Sequence, residues 1–121
     1  MAQRILVVDD HEDNRRILRD LLTSASYETL EAETGEAGVA LAEAQRPDLV
    51  LMDLQLPGLD GYEATRRIKA NPALRQVPVI AVTSYALSGE EIRAREAGCD
   101  DYVTKPFSPR ALLATVRQHL P

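Results

Sequence analysis

Cysteine is nearly missing. Cys99 is the only one, so no internal disulfide can form, and no Cys/His grouping exists to select zinc. A lone small thiol of this kind is expected to be buried. Tryptophan is absent and aromatic residues make up 4% of the 121-residue chain, so aliphatic side chains must fill the core. No apolar run approaches the roughly 20 residues of a membrane span. The N-terminus carries no apolar signal segment either. The cytoplasm is therefore the default location, and no membrane partner is expected. Basic residues are outnumbered, 14 Lys and Arg against 19 Asp and Glu, for a net charge of −5. Phosphate backbones want a basic face, so direct nucleic-acid binding is not expected. Low-complexity stretches, charge blocks and linkers are absent too. The length suits one domain with one core, spanning residues 1–121.

What is present is alternation. Apolar, β-branched runs occur at Ile5–Val8, Tyr27–Ala32, Leu49–Met52, Val79–Val82 and Tyr102–Thr104. The first, third and fourth are nearly continuous, as strands covered on both faces require. Helical patterns lie between them. Ile17, Leu18, Leu21 and Leu22 share one helical face, and so do Ala37, Ala40, Leu41 and Ala44. Ala64 and Ile68 make a thinner stripe, and Leu112, Val116 and Leu120 a clear one. The fourth helix is weakly apolar, with Ile92 and small alanines expected to face inward. Start signals agree: Thr34 as a cap, Asp60 with Glu63, Ser88 with Glu91, and Ser108 before Pro109. Pro47, Pro72 and Gly98 mark stops. Five β–α units imply a parallel sheet with helices on both faces and right-handed crossovers. The chain is too short for an eight-stranded barrel of about 250 residues. The expected fold is α/β, a (βα)5 doubly wound parallel sheet, flavodoxin-like, with strand order 2-1-3-4-5.

In open sheets of this kind, ligands bind outside the carboxyl ends of the strands. The first run ends in Asp9 and Asp10, the third in Asp53, the fourth in Thr83 and Ser84, and the fifth in Lys105. Three carboxylates therefore converge with one lysine and one hydroxyl. Crowded acids repel, and burial raises the cost, so a cation belongs among them. A hard divalent ion bound through oxygens fits, and Mg²⁺ suits a site with few carboxylates. A carboxylate beside Mg²⁺ and lysine can act as a nucleophile toward a phosphoryl group. Asp53 is the first candidate because its strand is central. His11 reads as a solvated loop histidine, since Mg²⁺ prefers oxygen. His119 is expected to be exposed.

The segments "RILVVDDHEDN", "PDLVLMDLQLPGLDGYE", "VPVIAVTSYA" and "AGCDDYVTKPF" resemble the receiver domains of bacterial two-component response regulators. The likeness spans nearly the whole chain. It is greatest to single-domain cell-division regulators and to the receivers of hybrid kinases. It implies that Asp53 accepts a phosphoryl group from a histidine on a sensor kinase or histidine phosphotransfer protein. Asp10 would ligate Mg²⁺ directly and Asp9 through water, with Asp53 and the backbone carbonyl of Gln55 completing the protein ligands. Lys105 would pair with Asp53 and then with the phosphoryl group. Thr83 would be the switch hydroxyl and Tyr102 the switch aromatic, and the bond before Pro106 would be cis. Gln55 and Tyr85 would flank the acyl phosphate and tune its hydrolysis, bulky Tyr85 slowing the approach of water.

On this reading the protein is a phosphoacceptor switch, not an enzyme beyond assisting its own phosphorylation and dephosphorylation. Output would pass from the fourth helix, fifth strand and fifth helix to a downstream protein target. A monomer or weak dimer is expected. The starting Met and the lack of a linker favour a free-standing receiver over a fragment of a larger kinase or regulator. Two rivals differ in class. A small phosphatase with an aspartate nucleophile would carry a D-x-D pattern after the first strand, where this chain has Asp9–Asp10–His11. A non-phosphorylated pseudo-receiver would usually lack one of the site groups, and none is missing.

Overall fold

The computed structural model describes residues 2–84 and 89–120. Five strands alternate with five helices: β1 (Arg4–Val8), α1 (Glu12–Ser24), β2 (Glu28–Ala32), α2 (Gly35–Gln45), β3 (Leu49–Asp53), α3 (Gly61–Ala70), β4 (Val79–Thr83), α4 (Glu90–Ala97), β5 (Asp101–Thr104) and α5 (Pro109–His119). The strands form one parallel sheet in the order β2-β1-β3-β4-β5. The chain runs from β1 outward to β2, then crosses back to β3. The strand order reverses there, which opens a crevice at the carboxyl ends of β1 and β3.

Burial follows the sequence pattern. Every residue of β3 and β4 is buried, as are Ile5–Val8 of β1. Alternate residues of one strand point to opposite faces. Leu6, Val8, Val50 and Met52 therefore join the α2–α3–α4 side, together with Ala64 and Ile68. Ile5, Val7, Leu49 and Leu51 join Leu18, Leu22, Leu112 and Val116 on the α1–α5 side. The predicted helix starts hold at Thr34, Asp60 and Ser108, whose side chains accept from the amides of Ala37, Glu63 and Ala111. Gly98 closes α4 in the left-handed region at φ 109°. The Ser88 cap lies outside the described residues. Cys99 is buried, as expected.

Several inward faces differ from the expected ones. In α2 the buried residues are Gly35, Gly38 and Ala42. Ala37, Ala40 and Ala44 are exposed, and Leu41 is half-buried. Alanine occurs on both sides of this helix, so it does not mark the core side; close approach to the sheet does. A Cβ on Gly38 would lie 2.8 Å from Val8 Cγ2. Ile17 of α1 is exposed, whereas Leu18 and Leu22 are buried. In α4, Ile92 points to solvent, and the inward residues are Ala94, Ala97 and the charged Glu90. His119 is half-buried rather than exposed, with Nε2 3.0 Å from Asp101 Oδ2.

Candidate functional site

The ladder register sets the site. Val8 pairs with Met52, Asp53 with Val82, and Thr83 with Thr104. Asp9, Asp53, Thr83 and Lys105 thus stand at or just past the ends of adjacent strands. Backbone bonds keep them in line: the amide of Asp9 donates to Ala32 O at 3.1 Å and that of Lys105 to Thr83 O at 2.6 Å.

Asp9 and Asp53 are held in matching ways. Asp9 Oδ1 accepts from the His11 amide at 2.9 Å, and Asp53 Oδ1 from the Gln55 amide at 2.9 Å. Each carboxylate is tied into its own two-residue turn. Their second oxygens both face Lys105 Nζ, at 3.1 Å for Asp9 Oδ2 and 3.5 Å for Asp53 Oδ2. Both acids are almost completely buried. Lys105 therefore bridges two carboxylates that would otherwise repel in a poorly solvated place. Burial raises the Asp53 carboxyl above the ordinary aspartate range, the Gln55 amide and the Lys105 charge draw it down, and Asp9 pushes it up again. The Lys105–Pro106 peptide is cis.

Asp10 shows where further positive charge is called for. Its Oδ1 is buried and accepts no hydrogen bond. Ligand oxygens of Asp9 and Asp10 and a ring nitrogen of His11 lie within 4.8 Å of one another. His11 is exposed, as expected, yet its Nδ1 leans toward the acids, 3.2 Å from Asp10 Oδ1. With one lysine against three acids, an orphaned acceptor and oxygen donors throughout, the crevice fits a hard divalent cation.

Thr83 is fully buried, and its hydroxyl donates to Gln55 Oε1 at 2.8 Å. Gln55 Nε2 in turn donates to Glu90 Oε1 at 3.1 Å, and the Tyr62 hydroxyl donates to the same oxygen. Arg93 lies over the Tyr62 ring, 4.3 Å from its centre. Tyr102 is half-buried against the core on this side. Burial, with Glu90 and Glu91 nearby, raises its hydroxyl pKa. Tyr85 lies outside the described residues. Beside Lys105, a groove of about 490 Å³ runs between Ile17 and Phe107.

Two participants escaped the sequence reading. Arg15 is buried, and its Nη1 donates to Asp9 O at 2.8 Å while its guanidinium reaches Glu31 and Glu33. A signal existed: Arg15 stands three residues before Leu18 and seven before Leu22, on their face of the helix. Glu90 was the other. No apolar period in α4 marks which side faces in, so its inward carboxylate carried no signal.

Residues 5–117 match the family model of the response regulator receiver domain. The polar-differentiation response regulator DivK of Brucella anthropi is 41% identical over 120 residues, covering 99% of this chain and 98% of DivK. Among solved structures, the receiver domain of a Pseudomonas aeruginosa sensor histidine kinase is 39% identical, with a TM-score of 0.92 over 99% of this chain and 98% of that one. That receiver was crystallised with a magnesium ion coordinated in its active-site cleft. The chemotaxis protein CheY4 of Vibrio cholerae shares the fold at a TM-score of 0.93 and 24% identity, each chain 98% covered.

Proposed function

This chain belongs to the response regulator receiver family, and from that premise we propose that it is a single receiver domain, residues 1–121, whose phosphoacceptor is Asp53. Members of the family are generally signalling switches in two-component systems rather than enzymes. In our reading an Asp53 oxygen attacks the phosphorus of a phosphohistidine on a kinase or phosphotransfer protein. The P–O bond forms as the P–N bond breaks, and the histidine nitrogen keeps the electron pair. Lys105 sits between Asp9 and Asp53; that placement is the observation that carries the reading. Its charge is in reach of a new phosphoryl oxygen, where fixed positive charge lowers the barrier.

Asp10, Asp53 and the Gln55 carbonyl would hold Mg²⁺, with Asp9 behind a water. When bound, the ion draws negative charge from the oxygens of the transferring group. The neighbouring kinase receiver with magnesium in its cleft supports this ligand, as does the buried Asp10 oxygen that accepts no hydrogen bond. A phosphoryl group adds roughly two negative charges and three acceptor oxygens. Thr83 then turns its hydroxyl to one of them, Tyr102 follows, and the α4–β5–α5 face changes for a downstream protein. Gln55 and Tyr85 tune the lifetime, so Tyr85→Ala should speed dephosphorylation. No described helix is long and apolar enough to cross a membrane, in keeping with action in the cytoplasm.

The test is intact-mass analysis after incubation with acetyl phosphate. One phosphoryl adduct is expected, dependent on Mg²⁺ and absent from Asp53→Asn. Undiminished labelling of that variant would move the acceptor elsewhere. No labelling of the parent would leave an interaction module, and steady release of phosphate over many turnovers would indicate a phosphatase.

A further inference from the structure

Among the described residues three carboxylates are buried: Asp9, Asp53 and Glu90. The first two meet Lys105. Glu90, the first residue of α4, meets among the described residues only donors that carry no formal charge, the Gln55 amide and the Tyr62 hydroxyl. A carboxylate can only accept hydrogen bonds. Gln55 must therefore turn its NH₂ toward Glu90, which turns its Oε1 toward Thr83. An amide oxygen also only accepts, so the Thr83 hydroxyl must donate, and it does so at 2.8 Å. A hydroxyl has one proton to give. Directed at Gln55, that proton is withheld from any oxygen arriving at Asp53.

We propose that Glu90 is a positioning residue that fixes the polarity of the chain Thr83→Gln55→Glu90 and so holds the Thr83 proton away from Asp53 in the resting protein. This rests on the roles given above to Asp53 and Thr83. A phosphoryl group at Asp53 takes the Thr83 proton by breaking the bond to Gln55. Gln55 then loses the donor to its oxygen while its amide still faces the first turn of α4. The state of the site reaches α4 through side chains, beside the path through Tyr102. Conversely, the Glu90 charge biases the protein toward its unmodified form.

The experiment titrates the full chain with beryllofluoride and Mg²⁺, the former a non-hydrolysed phosphoryl mimic, following tyrosine fluorescence or amide shifts. It compares the parent, Glu90→Gln, Gln55→Ala and the double variant. Glutamine has the shape of glutamate but can donate. In Glu90→Gln the chain can reverse: the new amide donates to Gln55 Oε1, Gln55 turns its NH₂ to Thr83, and the hydroxyl proton is released. Beryllofluoride should bind about three- to tenfold tighter, the worth of one ordinary hydrogen bond. With Gln55→Ala in the background, the same substitution should change affinity less than about twofold, because Glu90 acts through Gln55 and the two substitutions are then strongly non-additive. Unchanged or weaker binding by Glu90→Gln would assign Glu90 a merely anchoring role and overturn the proposal. A gain that persists in the Gln55→Ala background would reflect long-range charge and overturn it equally. A parent that binds no beryllofluoride would overturn the phosphoacceptor reading along with this one. A parent that binds it, with Glu90→Gln unaltered, would overturn this inference alone.

Discussion

Helices α1 and α4 flank the same crevice, but they are held to the sheet by different forces. In α1, Leu18 and Leu22 are buried against β1 and β3, and Arg15 grips the Asp9 carbonyl. In α4 the inward residues are two alanines and Glu90, while Ile92 lies 62% exposed. Apolar contacts are indifferent to charge at the site. Hydrogen bonds that run through Gln55 and Thr83 are not. A change at Asp53 therefore has little purchase on α1 and direct purchase on α4. The moving part is expected where the attachment is polar and thin.

The largest expected effect lies on the α1 side. Leu22→Ala should destabilise the protein by about 3 kcal/mol, from lost burial plus the cavity left behind. Chemical denaturation checks this, and a cost under about 1 kcal/mol would mean that α1 is held no better than α4. Tyr62→Phe probes the other side, because it removes one of the two donors to Glu90 among the described residues. Amide exchange in α4 should quicken by about tenfold, the loss of one hydrogen bond to a charged acceptor. Exchange in α1 should not change, and equal acceleration in both helices would erase the contrast.

The charge at the site supplies the third prediction. Burial raises the Asp53 pKa in the folded protein above its ordinary value of 3.8. A raised folded value means that the native state binds its proton more tightly than the unfolded chain does. Whatever this favours is present below about pH 3.8, the unfolded value, and lost as pH rises through the folded value. Without divalent metal, Asp53→Asn should therefore be more stable than the parent at neutral pH, by about 4 °C in Tm per kcal/mol recovered. The gap should narrow toward pH 4. A variant less stable than the parent at pH 7 would show that Lys105 overcompensates for burial. Ile92→Ala should do least, within about 0.5 kcal/mol, as an exposed site does. A larger loss would mean that α4 leans on an apolar contact after all.

The same contrast governs what could be read from the sequence. Continuous runs such as Leu49–Met52 announce buried parallel strands, and the acids at their ends announce the crevice, because both signals are local. Lys105 is legible through the strand-end rule, and the resemblance supplies the cis bond before Pro106. The faces of α2 and α4 are not legible in this way. Alanine is at home on either side of a helix, and Gly38 is inward for want of a side chain, since Val8 occupies the space. Large apolar residues can also mislead: Ile17 and Ile92 look like core and face water. The chain from Thr83 to Glu90 depends on side-chain direction across three elements, which no periodicity encodes.

The most direct test of the contrast is to follow backbone amide shifts as Asp53 is modified by acetyl phosphate with Mg²⁺. Large changes are expected through α4 and β5, with small ones in residues 18–24 of α1. Changes confined to the immediate neighbours of Asp53, or spread equally over α1 and α4, would contradict it.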